Sequence, residues 1–218
     1  MADVANFFAA ITCGDVDAVR VLIDADPDLL HEQSEDGASP ALTALYHGHA
    51  PLADELAGRA GELSIFEAAA FDDLLRLYAL IESDPAAVAS WSADGWQPLH
   101  LAAFFGRTES ARMLLDADAP VTERSRNPIA VQPLHAATAG QHAEIVWLLI
   151  ASDAPVNALQ NQGWTPLHAA VHNADVESIK ALLSAGADPS VANFDGKTAL
   201  DLAPNDAVRA LLHDSNAS

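Results

Sequence analysis

Three histidines occupy equivalent positions of a recurring sequence motif, and they are the most obvious candidates for chemistry. His100, His135 and His168 each follow a Pro-Leu pair. Zinc binding would require their ring nitrogens to lie about 2.0–2.1 Å from one ion. Successive packed helices are about 8–10 Å apart, so histidines on successive units form a ladder rather than a coordination sphere. We therefore expect structural roles for all three, and neither a metal ion nor any other cofactor.

The other reactive side chains are equally isolated. Cys13 is the single cysteine, so no intrachain disulfide can form, and a lone cysteine of this kind is usually a small buried hydrophobe. The adjacent acids Asp72–Asp73 and Asp54–Glu55 do not face each other on a helix, and they are interpreted as solvated helix starts. The sequence contains no GxGxxG, GxxxxGK[ST], HExxH or GxSxG motif. No catalytic residue is predicted, and the chain is interpreted as a non-enzyme.

Composition narrows the classes of partner. The chain has 218 residues, with 10 Lys and Arg against 31 Asp and Glu and a net charge of −21. A chain this acidic repels phosphate backbones and anionic lipids, which argues against binding to nucleic acid or to a membrane surface. No apolar run approaches the roughly 18 residues of a membrane helix, and the first residues do not resemble a signal peptide. We expect a cytoplasmic protein without a small-molecule substrate.

The elements that position these side chains repeat along the chain. Four similar segments begin at Gln97, Gln132, Thr165 and Lys197, and they read QPLHLAA, QPLHAAT, TPLHAAV and KTALDLA. The period is close to 33 residues, and an apolar helix pattern follows the first three segments about ten residues later. Chance does not produce a two-part motif several times at nearly constant spacing. The fold is therefore predicted to be built from repeated units.

The first half of the chain carries the same pattern in a divergent form. Aligning the loop after the first helix of each unit gives intervals of 34, 24, 34, 35 and 33 residues. The aligned loop positions are Gly14, Gly48, Asp72, Gly106, Gln141 and Ala174. The short interval predicts that the second unit lacks about ten residues after its second helix. This deletion would remove a turn, and a bend in the stack is one possible result.

Each unit is predicted to form two short antiparallel helices and a projecting turn. Thr165 is placed to cap a first helix, with Pro166 at the first position, where a missing N–H costs nothing. Ile179 and Leu182 belong to a buried stripe on the following helix. Gly186 stands where a left-handed residue ends that helix. The last unit is expected to have a shortened second helix.

With its TPLH-type starts, its 33-residue period and the segment AGADPS, the chain resembles the ankyrin-repeat family. The resemblance implies an all-α, elongated, curved solenoid of about seven repeats, forming one array over residues 1–218. Divergent units occupy residues 1–95, well-marked units occupy 96–195, and a truncated unit caps the array over 196–218. The family also implies that the repeated histidine lies beside the turn and forms local hydrogen bonds.

The resemblance points to partner binding at positions where the units differ. In ankyrin-type stacks, the two positions before each loop and the tips of the turns line the concave surface, where partner proteins bind. Aromatic residues rimmed by charge are typical of binding hot spots. The candidate partner-binding residues are Tyr46, His47, Phe71, Trp96, Phe104, Phe105, Trp164 and His172.

Packing offers an alternative role for several of these aromatic residues. Phe71 or Phe105 would then pack against a neighbouring helix or fill the gap left by the short unit. Trp96 and Trp164 each follow a glycine in a turn, where the indole would pack over the next turn.

Charge is concentrated in the first half of the chain. Residues 1–95 hold 18 of the 31 acids and 3 of the 10 bases. This excess is either a solvated face or an attraction for a basic partner. The predicted function is non-catalytic binding of a partner protein by a monomer. The alternatives are an acidic inhibitor that occludes a basic site on an enzyme or nucleic-acid-binding protein, and an enzyme with an unrecognised site.

Overall fold

The computed structural model describes residues 2–215, and this part of the chain is helical without a β-strand. One isolated bridge joins Ala192 and Thr198. The helices are α1 (Ala2–Cys13), α2 (Val16–Ala25), α3 (Pro40–Tyr46), α4 (Ala50–Ala60), α5 (Ile65–Phe71), α6 (Leu74–Ser83), α7 (Pro98–Phe104), α8 (Thr108–Asp116), α9 (Pro133–Ala139), α10 (Ala143–Ala151), α11 (Pro166–His172), α12 (Val176–Ser184), α13 (Ala199–Leu202) and α14 (Asp206–Ser215). Short 3-10 helices follow α2 and α6, over Pro27–His31 and Pro85–Ala89.

The helices pack as a repeat solenoid, as predicted. Each odd-numbered helix contacts the even-numbered helix that follows it, and it also contacts the next odd-numbered helix along the stack. From α6 onward the even-numbered helices also contact one another in order. This two-layer arrangement is consistent with the prediction of about seven units. Residues 216–218 of the predicted capping unit lie outside the described part of the chain.

Local sequence explains why the first helix of each unit begins where it does. The Thr165 hydroxyl accepts a hydrogen bond from the backbone N–H of His168, and Pro166 is the first residue of α11. Ser39 and Ser64 cap α3 and α5 in the same way. Such caps satisfy N–H groups that have no partner within the helix.

The backbone confirms the alignment of the units. All six loop positions aligned from the sequence have a positive φ angle, although three of them are not glycine. These angles are 71° at Gly14, 77° at Gly48, 61° at Asp72, 70° at Gly106, 62° at Gln141 and 55° at Ala174. A left-handed residue at this point reverses the chain between the two helices of a unit.

The histidine ladder connects each unit to the next. The Nε2 atoms of His100, His135 and His168 donate to carbonyl oxygens 31, 23 and 29 residues further along, at 3.0, 3.0 and 3.1 Å. The expected structural role is confirmed. Besides these bonds to the following turn, the Nδ1 atoms of His135 and His168 accept local hydrogen bonds from the backbone N–H groups of Gln132 and Thr165. Burial lowers the pKa of His100 and of His135 to about 4, so both rings are neutral at pH 7.

The last unit differs from expectation. Its second helix, α14, has 10 residues, whereas its first helix, α13, has 4. The truncation therefore falls on the first helix. Asp201 replaces the histidine of the motif and forms a capping box with Thr198, but an aspartate side chain is too short to reach another turn.

The missing turn after the second unit is confirmed. Only residues 61–64 separate α4 from α5, whereas residues 152–165 separate α10 from α11. The buried core also divides here. One hydrophobic cluster is built mainly from α1–α4, and the other runs from Ile65 to Leu212. Ala70 and Leu101 belong to the first cluster, so side chains of later units extend into it.

None of the helices described is long and apolar enough to cross a membrane.

Candidate protein-binding groove

An aromatic contact joins the short second unit to the fourth unit. The rings of Tyr46, at the end of α3, and Phe105, just after α7, stack with centroids 5.8 Å apart and planes 20° apart. This contact bypasses α5 and α6, and therefore a whole helix pair. The second and fourth helix pairs approach each other at this point, which we call the junction.

A hydrogen bond reinforces the junction. The Tyr46 hydroxyl donates to Asp94 Oδ2 at 2.7 Å, and Asp94 Oδ1 accepts from the Ser92 hydroxyl. Burial of the ring and the negative charge of Asp94 raise the pKa of Tyr46 above its usual value. The phenol therefore remains a protonated donor throughout the neutral range.

The turn before α3 and the turn before α7 lie against each other, because the turn between α4 and α5 is missing. A Cβ atom on Gly37, which has φ 89°, would be 2.8 Å from the carbonyl carbon of Ala93. Nearby, the Ser39 hydroxyl donates to Glu67 Oε1 at 2.7 Å, and the other oxygen of Glu67 caps α5 at Ser64. Glu67 is 9% exposed and stands at the motif position that histidine occupies in later units. A buried carboxylate thus replaces the histidine as the link between units.

Beside the junction lies a small apolar compartment of about 250 Å³. It is lined by Tyr46, Trp96, His100, Leu101, Phe104 and Ile129. Phe104 is 44% exposed and Ile129 is 52% exposed. Phe104 is held edge-on against Phe105, with centroids 5.1 Å apart, so this large apolar side chain is exposed but has a defined support.

A larger, more polar compartment of about 550 Å³ adjoins the first. Tyr46, Trp96 and Ile129 line both compartments. The larger one is also lined by Phe8, Thr43, Asp36, His47, Asp94 and Arg126. We refer to the two compartments together as the junction groove.

Ile129 is a groove residue that sequence reasoning missed. It lies in the connection 117–132, which is two residues longer than the connection 152–165. The side-chain amide of Asn161 donates to the carbonyl of Pro128 at 2.6 Å and holds this segment in place. The interval of 35 residues between aligned positions, against 33 in the next unit, was the available signal.

The predicted partner-binding residues either line the junction groove, support it or lie outside it. Tyr46, Phe104 and Trp96 line the small compartment, and the exposed His47 lines the large one. Phe105 supports the groove through its contacts with Tyr46 and Phe104.

The other three candidates lie outside the junction groove. Phe71 is partly buried against the first core cluster. Trp164 and the exposed His172 contact each other beside α11, with ring centroids 5.6 Å apart. The structure therefore brings five of the eight candidates together around the junction.

The turn tryptophans pack against the repeated histidines. Trp96 and Trp164 lie against His100 and His168 of their own units, each with centroids 5.9 Å apart. These contacts shield the histidine ladder from water.

Reactive side chains outside the groove are dispersed, and two expectations about them were wrong. Cys13 is exposed rather than buried, because it is the last residue of α1 and points away from the core. Asp54 and Glu55 lie within α4 rather than at its start, and Glu55 accepts from Arg20 at 2.7 Å. Among the described residues, no group of His, Cys, Asp and Glu side chains could hold a metal ion.

The other acidic pair has two separate roles. Asp73 caps α6, as expected for a helix start. The carboxylate of Asp72 instead accepts from the backbone N–H and the hydroxyl of Ser110, at 3.1 and 2.7 Å, and so connects neighbouring units.

Comparison with known proteins agrees with this architecture. A family model described as ankyrin repeats (3 copies) matches residues 7–125 and 134–218. The human BCL-6 corepressor-like protein 1 is 44% identical over 59 residues, which are 27% of this chain. The match spans 3% of the length of that relative. Since the family model covers most of the sequence, the chain belongs to the ankyrin-repeat family.

Proposed function

We propose that the chain binds a partner protein through the concave face of its repeat stack, at the junction groove, without catalysing a reaction. The observation that carries this proposal is the pair of exposed apolar side chains, Phe104 and Ile129, at the mouth of a supported cavity. Exposed apolar side chains around a recess are typical of interaction sites. Ankyrin repeats generally serve as protein–protein interaction modules, and the relative described as corepressor-like fits such a role.

The architecture favours binding because the groove is already formed. Tyr46 is fixed by its ring stacking on Phe105 and by its hydrogen bond to Asp94. Little conformational freedom is then lost when a partner binds, so more of the contact energy contributes to affinity. We propose that the protein acts in this way as a monomer in the cytoplasm.

Charge favours a basic partner. The 18 acidic residues among residues 1–95 include Asp36 and Asp94, which line the larger compartment. Long-range attraction would raise the association rate with a basic protein and would weaken as salt is added. The same observation motivates the second candidate function, an acidic inhibitor that occludes a basic site on an enzyme or nucleic-acid-binding protein.

Affinity capture from a lysate of the source cell tests the proposal. The wild type would be compared with the double variant Phe104→Ser/Ile129→Ser and with the control Leu75→Ser/Trp147→Ser, which removes exposed apolar residues from α6 and α10. Tyr46 and Phe105 are left intact because they support the junction.

We expect a partner that the wild type and the control retain and the groove variant loses. Equal retention by all three proteins would contradict binding at the groove. Repeating the capture at higher salt separates the roles of charge. Strong salt dependence together with inhibition of the captured protein would favour the inhibitor.

A further inference from the structure

We propose that the junction groove recognises a linear segment in which an aliphatic or aromatic side chain lies two positions from a lysine or arginine. This inference rests on the proposed function and specifies the chemistry of the partner. Its basis is the difference between the two compartments, which share a wall of three residues but offer different surfaces.

The smaller compartment fits an apolar side chain. Its walls are the rings of Tyr46, Trp96 and Phe104 together with Leu101 and Ile129. A leucine or phenylalanine side chain of the partner would replace water against these surfaces, which is the main favourable term in association. A charged group here would lose its hydration with little compensation.

The larger compartment fits a hydrogen-bond donor that carries positive charge. Thr43 is 6% exposed and lines this compartment, and its hydroxyl has no hydrogen-bond partner among the described residues. A buried hydroxyl without a partner is unusual in a folded protein, and this one leaves unsatisfied polar capacity in the wall of the compartment.

The charged groups around the larger compartment also favour a cation. Two carboxylates, those of Asp36 and Asp94, line it against one guanidinium, that of Arg126, which lies 4.3 Å from the centre of the Trp91 ring. Asp94 accepts one hydrogen bond on each oxygen and retains capacity for further donors. The remaining titratable group, His47, is exposed.

The geometry of the shared wall sets the spacing of the recognised residues. Because Tyr46, Trp96 and Ile129 line both compartments, the two occupants must be close neighbours. In an extended chain, residues two positions apart point to the same side and are about 6–7 Å apart. A second copy of this chain is a poor occupant, since its net charge of −21 opposes association.

Selection from a displayed library of random nonapeptides tests this inference on the full chain. We expect enriched peptides to share an aliphatic or aromatic residue two positions from Lys or Arg. The best peptide would then be synthesised, together with an analogue in which Gln replaces the basic residue. We expect the analogue to bind at least tenfold more weakly.

Protein variants locate the two contacts. Asp36→Asn should weaken binding of the basic peptide at least threefold. Asp195→Asn removes the same charge from an exposed site in the connection before α13 and should leave the affinity unchanged. Binding should also be lost in Phe104→Ser.

The outcomes distinguish the two proposals. If peptides bind in a Phe104-dependent way but have no basic residue, or if the Gln analogue binds equally well, this inference fails while groove binding stands. If the selected peptides bind Phe104→Ser as tightly as the wild type, or if no peptide is enriched, this inference is overturned, and the capture experiment decides separately on groove binding.

Discussion

Successive units are joined differently in the regular region, from α7 to α12, and at the junction after α4. In the regular units, a full turn separates successive first helices, and a buried histidine hydrogen bonds to the next turn. At the junction the turn is missing, and the units are joined by Glu67, Tyr46 and Asp94 instead.

This difference shows how an irregular repeat creates a site. Regular stacking buries the histidine ladder, so the side chains that join those units are not accessible to a partner. At the junction, aromatic rings from the second and fourth helix pairs meet at the surface and enclose the small compartment. The small compartment therefore lies beside the point where the stack lacks about ten residues.

The largest expected effect on the free energy of unfolding is in the regular region. Leu134→Ala should lower the free energy of unfolding by about 2–5 kcal/mol, because Leu134 is fully buried in the second core cluster and its truncation leaves a cavity. Urea denaturation measures this change. Leu75→Ala is the control, since Leu75 is 82% exposed and its truncation should alter stability by less than about 0.5 kcal/mol. Similar effects of the two variants would contradict the proposed register.

The pH dependence of stability should also arise in the regular region. Burial lowers the pKa of His100 and of His135 to about 4, whereas the unfolded value is about 6.5. Between these values the unfolded chain binds more protons, so stability is greatest above pH 6.5 and falls with acidification. We expect each histidine to account for about 2 kcal/mol between pH 7.5 and pH 5.

Unfolding of the wild type and of His135→Gln by urea at pH 7.5, 6.5 and 5 checks this expectation. The variant should be less stable at pH 7.5 but less sensitive to pH. An identical pH dependence in both proteins would show that the histidine ladder does not cause the loss of stability at low pH.

A smaller effect is expected from the hydrogen bond at the junction. Tyr46→Phe keeps the ring stacked on Phe105 but removes the donor to Asp94, and it should lower the free energy of unfolding by about 1–2 kcal/mol. Tyr78→Phe is the matched control, since Tyr78 is an exposed tyrosine on α6. A cost no greater than that of the control would show that Asp94 does not hold the junction.

The smallest effect on stability is expected at the mouth of the groove. Phe104→Ser removes an exposed side chain and should change the free energy of unfolding by less than about 1 kcal/mol. The same variant should lose the captured partner. A large loss of stability would instead assign Phe104 to the core.

The repeat pattern predicted most of the scaffold, because each unit encodes its own caps, turns and buried stripe. Asp72, Gln141 and Ala174 were placed in register with loop glycines and have the same left-handed backbone. The contact between Tyr46 and Phe105 was not predictable from this pattern, since it depends on how far two units approach when a turn is lost.

The groove was therefore predicted only in part. Tyr46, Trp96 and Phe104 were identified because they stand at variable positions or follow a turn glycine. Ile129 lies within a turn, where the motif gives no guidance on side-chain direction. The length of that turn was the accessible clue.

Hydrogen–deuterium exchange of the full chain, free and bound to the partner it captures, tests the central claim most directly. If the junction groove is the binding face, amide protection should increase in the segments around residues 92–105 and 124–131, with little change in α6, α10 and α12. Protection confined to these even-numbered helices, with none around the groove, would contradict the proposal.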